Sequence, residues 1–368
     1  MLSALRHHAA LDQTVPPRSW SSRGLRIANT LLIVLFVSAL IAFVIVSYWV
    51  SKPPYDFQIL MRGAESYCFD NTHFQFGLEQ HSYYAAPFYT TFCLPNHYAE
   101  PLLRWGWMLA PFFLALWLAR ERAAVFGYAP LGILLLIGQS SWLMLPLYML
   151  ALWQIDERHV PAWYGLIFGI VVLKPQVAVV AVMWLVYRWR QQKTVLLVGA
   201  LAIIAMSIPA FVLRPGWLWE WLPNGRGFEP VNLASVAFIP VQLGQMDFAP
   251  GAGAQAVVWG FCALVGLVVY SLLRWRRGTL TLYDWVLVFF LISPVLNDYD
   301  LVVLLPFIAN RPRRLMLALT AGVVTWLFAM MTKRWSMSFM ITLALLVLRL
   351  WRLDDQDGIP QAQRTLRI

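Results

Sequence analysis

Charge is what this sequence has least of. Only 12% of its 368 residues are Asp, Glu, Lys or Arg, against about 25% in soluble domains. Together with 60% hydrophobic residues and a mean hydropathy of +0.63, that scarcity argues against a soluble enzyme and for a polytopic membrane protein. Nucleotide-binding and catalytic signatures are missing too. There is no P-loop, no GxGxxG and no nucleophile elbow, so ATP hydrolysis and hydride transfer have no support and no cofactor is expected. The six His show no ligand spacing such as His-x3-His, so no metal is expected. No soluble domain, low-complexity tract or internal repeat interrupts the chain. The net charge of +10 suits nucleic acid in principle. The Arg and Lys residues, however, fall in short clusters between apolar runs, as topology signals do, and a nucleic-acid partner is not expected.

What is present is a series of apolar segments, near 28–49, 102–119, 124–137, 142–154, 161–173, 176–188, 194–213, 252–273, 280–295, 301–310, 314–331 and 335–350. A helix needs about 20 apolar residues to cross a bilayer core, and several of these are shorter. They pair across small polar breaks, GQSS at 138–141 and LKPQ at 173–176, so each pair reads as two spans or as one kinked or re-entrant element. Twelve spans is the reading that sorts the charges best. It leaves Lys52, Arg62, Arg104, Lys174, Arg214, Arg226, Lys333 and Arg334 on one side and the other twenty of the 28 basic residues on the opposite side. The positive-inside rule then makes the N-terminus cytoplasmic. The expected organisation is a basic cytoplasmic segment at 1–27 with no cleavable signal, an all-α polytopic membrane domain at 28–350, and a cytoplasmic tail at 351–368.

Two long stretches, 50–101 and 214–251, then face outward. Both are rich in aromatic residues and Pro rather than in disorder-promoting residues. In the first, Phe57, Leu60, Met61, Ala64, Tyr67 and Cys68 share one helical face, which predicts a helix lying on the membrane surface. Cys68 and Cys93 lie in the same stretch and are open between a disulfide and two buried thiols; a bond would stabilise the loop by about 3 kcal/mol. Cys262 falls in a membrane segment and reads as packing.

Asp56, Lys174 and the pair Asp298 and Asp300 hold charge where charge is costly. Asp56 follows the first apolar segment closely. It is either a helix cap or a general base at the membrane surface, where partial desolvation raises a carboxylate's pKa toward neutrality. Lys174 interrupts a hydrophobic hairpin, either snorkelling to the surface or countering a lipid phosphate. Gln139 occupies the matching break of the preceding pair, bonded to a sugar or to a kinked backbone. Asn297, Asp298, Tyr299 and Asp300 stand between two apolar runs, as an external turn or facing a substrate. Arg62, Arg104, Arg214 and Arg226 are surface charges or anion ligands.

Five stretches in this order resemble one family: PYDF at 54–57, YYAAPFYTTFCLP at 83–95, GQSSWLMLPLYMLAL at 138–152, GLIFGIVVLKPQ at 165–176 and SPVLNDYDLVVLLP at 293–306. The family is the polyprenol-phosphate-mannose-dependent mannosyltransferases, glycosyltransferase family 87 of the GT-C superfamily. The resemblance covers roughly residues 30–315. It implies a GT-C-type helical bundle with extracytoplasmic loop helices, set in the plasma (inner) membrane. It also implies transfer of mannose from a polyprenyl-phosphate donor to a lipid or glycan acceptor outside the cytoplasm. Asp56 matches the family's loop carboxylate, the proposed base, and Lys174 the lysine of its KP motif. The chain departs from the pattern at Ala86, where the family tends to have Pro, and at Ser140 and Ser141, where an Asn often follows GQ. It also carries Asp298, Tyr299 and Asp300 where a His is common, which leaves the sugar open. Two other classes stay open beside this one: a lipid-linked glycan flippase, and a non-catalytic subunit of a cell-envelope assembly.

Overall fold

The computed structural model describes residues 34, 55–70, 74–76, 84–119, 123–152, 160–224, 234–243, 252–332 and 338–353. The segments 1–27 and 28–49 (Val34 aside) and most of the tail lie outside that set, as do Lys52, His73, His81, Arg158, Arg226, Lys333 and Arg334. Among the described residues there are helices and no strand. Three helices are long and apolar enough to cross a membrane: Ala86–Leu118, Lys193–Leu213 and Gly253–Arg277. Shorter apolar helices, among them Ser141–Leu152, Ala162–Leu173, Pro175–Arg188, Leu282–Ile292 and Phe339–Leu350, follow the boundaries expected from the sequence.

The first described helix, α1 (Tyr55–Phe69), buries Asp56, Phe57, Leu60, Met61, Ala64 and Tyr67. The face is the expected one, and it packs on α2 (Ala86–Ala119). Tyr67, Phe74, Phe76 and Tyr89 form one ring cluster there, and Cys68 is joined to Cys93 across it. Helix α2 takes in residues 86–100, the last part of the expected outer stretch. Its backbone breaks at Ala99. Pro101 explains the break, since it removes an amide donor and its ring crowds the carbonyl four residues back.

The 138–141 break ends α3 (Ala129–Ile137), where Gly138 takes the left-handed conformation that a side chain would disfavour. A 3-10 turn, Ser141–Met144, then leads into α4 (Leu145–Leu152). The Ala162–Leu173 segment is a 3-10 helix throughout. At a rise of about 2.0 Å per residue, twelve residues reach about 24 Å, against about 18 Å as an α-helix. A segment too short to be a full α-helical span is thereby drawn out. Lys174 is the break, and α5 (Pro175–Arg188) begins immediately after it with Pro at its first position.

Small residues set the closest approach in the bundle. A Cβ added at Gly165 would collide with the backbone of Val195 and Gly199 on α6 (Lys193–Leu213), and one at Gly199 would strike the Phe168 ring. Gly165→Val is therefore expected to lower stability by about 1–3 kcal/mol through overpacking, read as a fall in thermal midpoint. Gly260→Ala, on α9 (Ala252–Arg277), where nothing lies within 4 Å, is the neutral control. The outward side of α6 exposes Leu197, Leu201, Ile204 and Ile208, a surface suited to hydrocarbon rather than water.

After α7 (Trp217–Asn224), α8 (Phe238–Leu243) and α9, helix α10 (Leu282–Ile292) starts at a Thr281–Asp284 capping box. The Asp284 carboxylate also receives Arg349 of α13 (Phe339–Leu350) through a two-pronged contact at 2.6 and 3.2 Å. Arg352 reaches the carbonyl of Arg276, and Arg313 of α12 (Pro312–Thr332) reaches that of Leu353. Three basic clusters expected on one side of the membrane thus share one end of the bundle. At the far end of α10 the chain turns into a 3-10 segment, Asp298–Leu304, and α11 (Leu305–Ile308). This part is buried from Asp298 to Leu305, and is not the external turn that was one reading of the sequence.

Candidate functional site

The end of the bundle opposite the basic clusters gathers the expected polar residues around the 138–141 break. Trp107 of α2 holds that break by donating its indole N–H to the carbonyl of Gly138 at 2.8 Å. Gln139, Ser140 and Ser141 are then presented inward, all buried.

On one side, the Gln139 Nε2 donates to Asp56 Oδ2 at 2.6 Å. The other half of the amide, Oε1, accepts from the Tyr84 hydroxyl at 2.9 Å and from the Ser140 amide at 3.3 Å. Tyr84 Oη and Ser140 Oγ lie 2.7 Å apart. Burial pushes the Tyr84 phenol above its ordinary pKa, against the pull of the Lys174 ammonium. It is therefore protonated at neutral pH and serves as a donor. Asp56 itself is in the first turn of α1 and 7% exposed.

On the other side, Lys174 Nζ lies 2.7 Å from Asp300 Oδ1 and donates to Ser141 Oγ at 2.7 Å. Ser141 in turn donates to Asp300 Oδ1 at 2.5 Å. The second Asp300 oxygen accepts the Asn297 amide at 2.8 Å, capping the 3-10 segment. Lys174 is 3% exposed and Asp300 0%. Two aromatic faces complete the ammonium's surroundings: its Nζ is 5.4 Å from the Tyr84 ring centre and 4.8 Å from that of Tyr299, within the range of cation–π attraction. Asn297 Nδ2 donates to the Tyr299 hydroxyl at 2.6 Å.

Of the residues singled out in the sequence, Asp56, Gln139, Lys174, Tyr299 and Asp300 are thus brought into one polar layer. Tyr84 and the run 139–141 join its two halves. Asp298 is buried in the first turn of the same 3-10 segment. Arg62 is not part of the layer; it stands on the exposed side of α1. Arg104 pairs with Glu100 at 3.6 Å. Arg214 pairs with Glu220 and donates to the carbonyl of Phe74 at 2.9 Å, so it fastens the outer aromatic cluster. His97 is 3.2 Å from Glu65 on the exposed surface. No group of three His, Cys, Asp or Glu suited to a metal occurs among the described residues.

Tyr84, Ser140 and Ser141 were not identified as site residues from the sequence. The sequence signal was their polar chemistry beside an apolar break, at positions that already stood out as belonging to, or departing from, a family pattern. No family model, curated protein or solved structure matches the chain.

Proposed function

We propose that the chain is a polytopic membrane glycosyltransferase on a GT-C-type bundle of about twelve spans. It would move a hexose, mannose in the first instance, from a polyprenyl phosphate to a lipid or glycan acceptor on the extracytoplasmic side of the plasma membrane. The observation that supports this most is the convergence of Asp56 and Lys174 on the single 138–141 break, at the end of the bundle away from the basic clusters.

The chemistry asks for those two groups. The acceptor hydroxyl oxygen forms a bond to the anomeric carbon while the bond from that carbon to the phosphate oxygen breaks. Asp56 takes the hydroxyl proton as general base. The departing polyprenyl phosphate gains negative charge as it leaves, and the Lys174 ammonium is the cation held in this layer to meet it. Asp300 neutralises Lys174 while no phosphate is bound, which lets an ammonium persist in apolar surroundings. The donor, and a lipid acceptor, arrive with their tails in the membrane plane, so a site where an outer helix meets short apolar segments suits them.

Membrane vesicles holding the protein and a radiolabelled mannosyl polyprenyl phosphate test the reading. Label is expected in a new lipid or glycan product. If label stays in the donor with mannose and with other hexoses, the transferase reading is wrong. If the intact donor instead crosses the bilayer, a flippase is favoured.

A further inference from the structure

Gln139 has two assignments open to it: a ligand for the sugar, or a group that acts through another residue. We infer that Gln139, clamped by Tyr84, is a positioning residue that orients the Asp56 carboxylate and sets its basicity. The inference rests on the transferase reading only for its consequence on rate; the hydrogen-bond geometry stands by itself.

A Gln amide is ambiguous because its two ends differ only in donor and acceptor roles. Here both ends have partners that choose the orientation. Oε1 faces the Tyr84 hydroxyl and the Ser140 backbone N–H, both donors, so Nε2 must face Asp56 Oδ2. Every bond in the row from Tyr84 through Gln139 to Asp56 then donates toward the carboxylate, and such rows polarise one another. One Asp56 oxygen is committed to Gln139, which fixes the side-chain rotamer. The titratable and charged groups beyond Gln139, among the described residues, are Tyr84 leading into α2, Lys174 at the head of α5 and Asp300 on the 3-10 segment. Lys174 itself is held by Asp300 at 2.7 Å and by Ser141.

Donation to the ionised carboxylate holds its pKa down, so removing the donor raises it. A hydrogen bond to a charged group is worth enough for a shift of roughly one to two pH units. The test is infrared titration of the full-length protein, with the Asp56 carboxyl stretch isolated as the difference from Asp56→Asn. In Gln139→Leu the midpoint is expected to rise by about one to two units. Tyr84→Phe, which removes one oxygen and frees the amide to turn, is expected to move it the same way by less, and it carries the test if Gln139→Leu does not fold. In the transfer assay both variants are expected to lower kcat with the donor KM little changed, and to move the acid limb of the rate profile to higher pH. An unmoved midpoint would overturn the inference, as would a raised donor KM at unchanged kcat, which marks Gln139 as a sugar ligand. Full activity in Asp56→Asn would instead remove the base assignment, with the infrared midpoint still reporting the hydrogen bond.

Discussion

Lys174→Met is expected to destabilise the protein by about 3–5 kcal/mol, the cost of leaving a buried carboxylate without its cation. A Lys174 whose only partner is a lipid phosphate, one of the two roles open to it in the sequence, would on the same change lose donor binding more than it disturbs insertion. The structure gives it a protein partner instead, Asp300 at 2.7 Å, with both groups almost fully buried. Removing the ammonium strands the Asp300 carboxylate between Ser141 and the Asn297 amide. The cost falls chiefly on the desolvated anion, so the remedy is to remove its charge. The double variant Lys174→Met, Asp300→Asn is expected to regain most of the lost thermal midpoint in detergent, while transfer stays absent because the phosphate has lost its cation. A double variant as unstable as the single one would mean that shape rather than charge dominates this pair.

Asp56→Asn has the largest expected effect on activity and a small one on stability. Asn keeps an acceptor oxygen where Oδ2 receives the Gln139 amide, and its volume fits the space that the carboxylate fills in the first turn of α1. It cannot take a proton from an acceptor hydroxyl. General-base assistance is worth about 10²–10⁴-fold in rate, so transfer is expected to fall by about that factor with the thermal midpoint within a few degrees of wild type. This separates the chemical role of Asp56 from its structural one, which an Ala substitution would confound by opening a cavity and stranding the Gln139 amide.

Much of the helical layout was legible because it follows from local pattern. The 3.6-residue spacing of Phe57, Leu60, Met61, Ala64 and Tyr67 gave α1 and its buried face; what that face meets was not legible, since spacing is indifferent to whether lipid or protein covers it. Gly138 and Lys174 marked breaks that the structure confirms, because a left-handed Gly and a Lys-Pro step interrupt a helix by backbone sterics alone. The helix at 86–100 was hidden by Pro95 and Pro101, which read as loop residues yet sit inside a kinked helix. The Asp298–Leu304 burial was hidden for a different reason: two carboxylates in apolar surroundings look like a solvated turn until their partners are known. The partners of Asp300, Ser141 and Lys174, are far away in sequence, and so is the Tyr84 contact that joins the two halves of the layer. Long-range pairing of this kind leaves no local trace. Cys68 and Cys93 were readable as a pair only to the extent that they shared one outer stretch, and the packing of α1 on α2 decides the matter by bringing their Cα atoms to 6.3 Å.

The most direct test is the rate at which purified, folded Asp56→Asn transfers labelled mannose from polyprenyl phosphate, set beside wild type in the same vesicles. Near-background transfer by a variant with the wild-type thermal midpoint is the expected result. Transfer at the wild-type rate would contradict the role given to Asp56 and, with it, the reading of this polar layer as a catalytic centre.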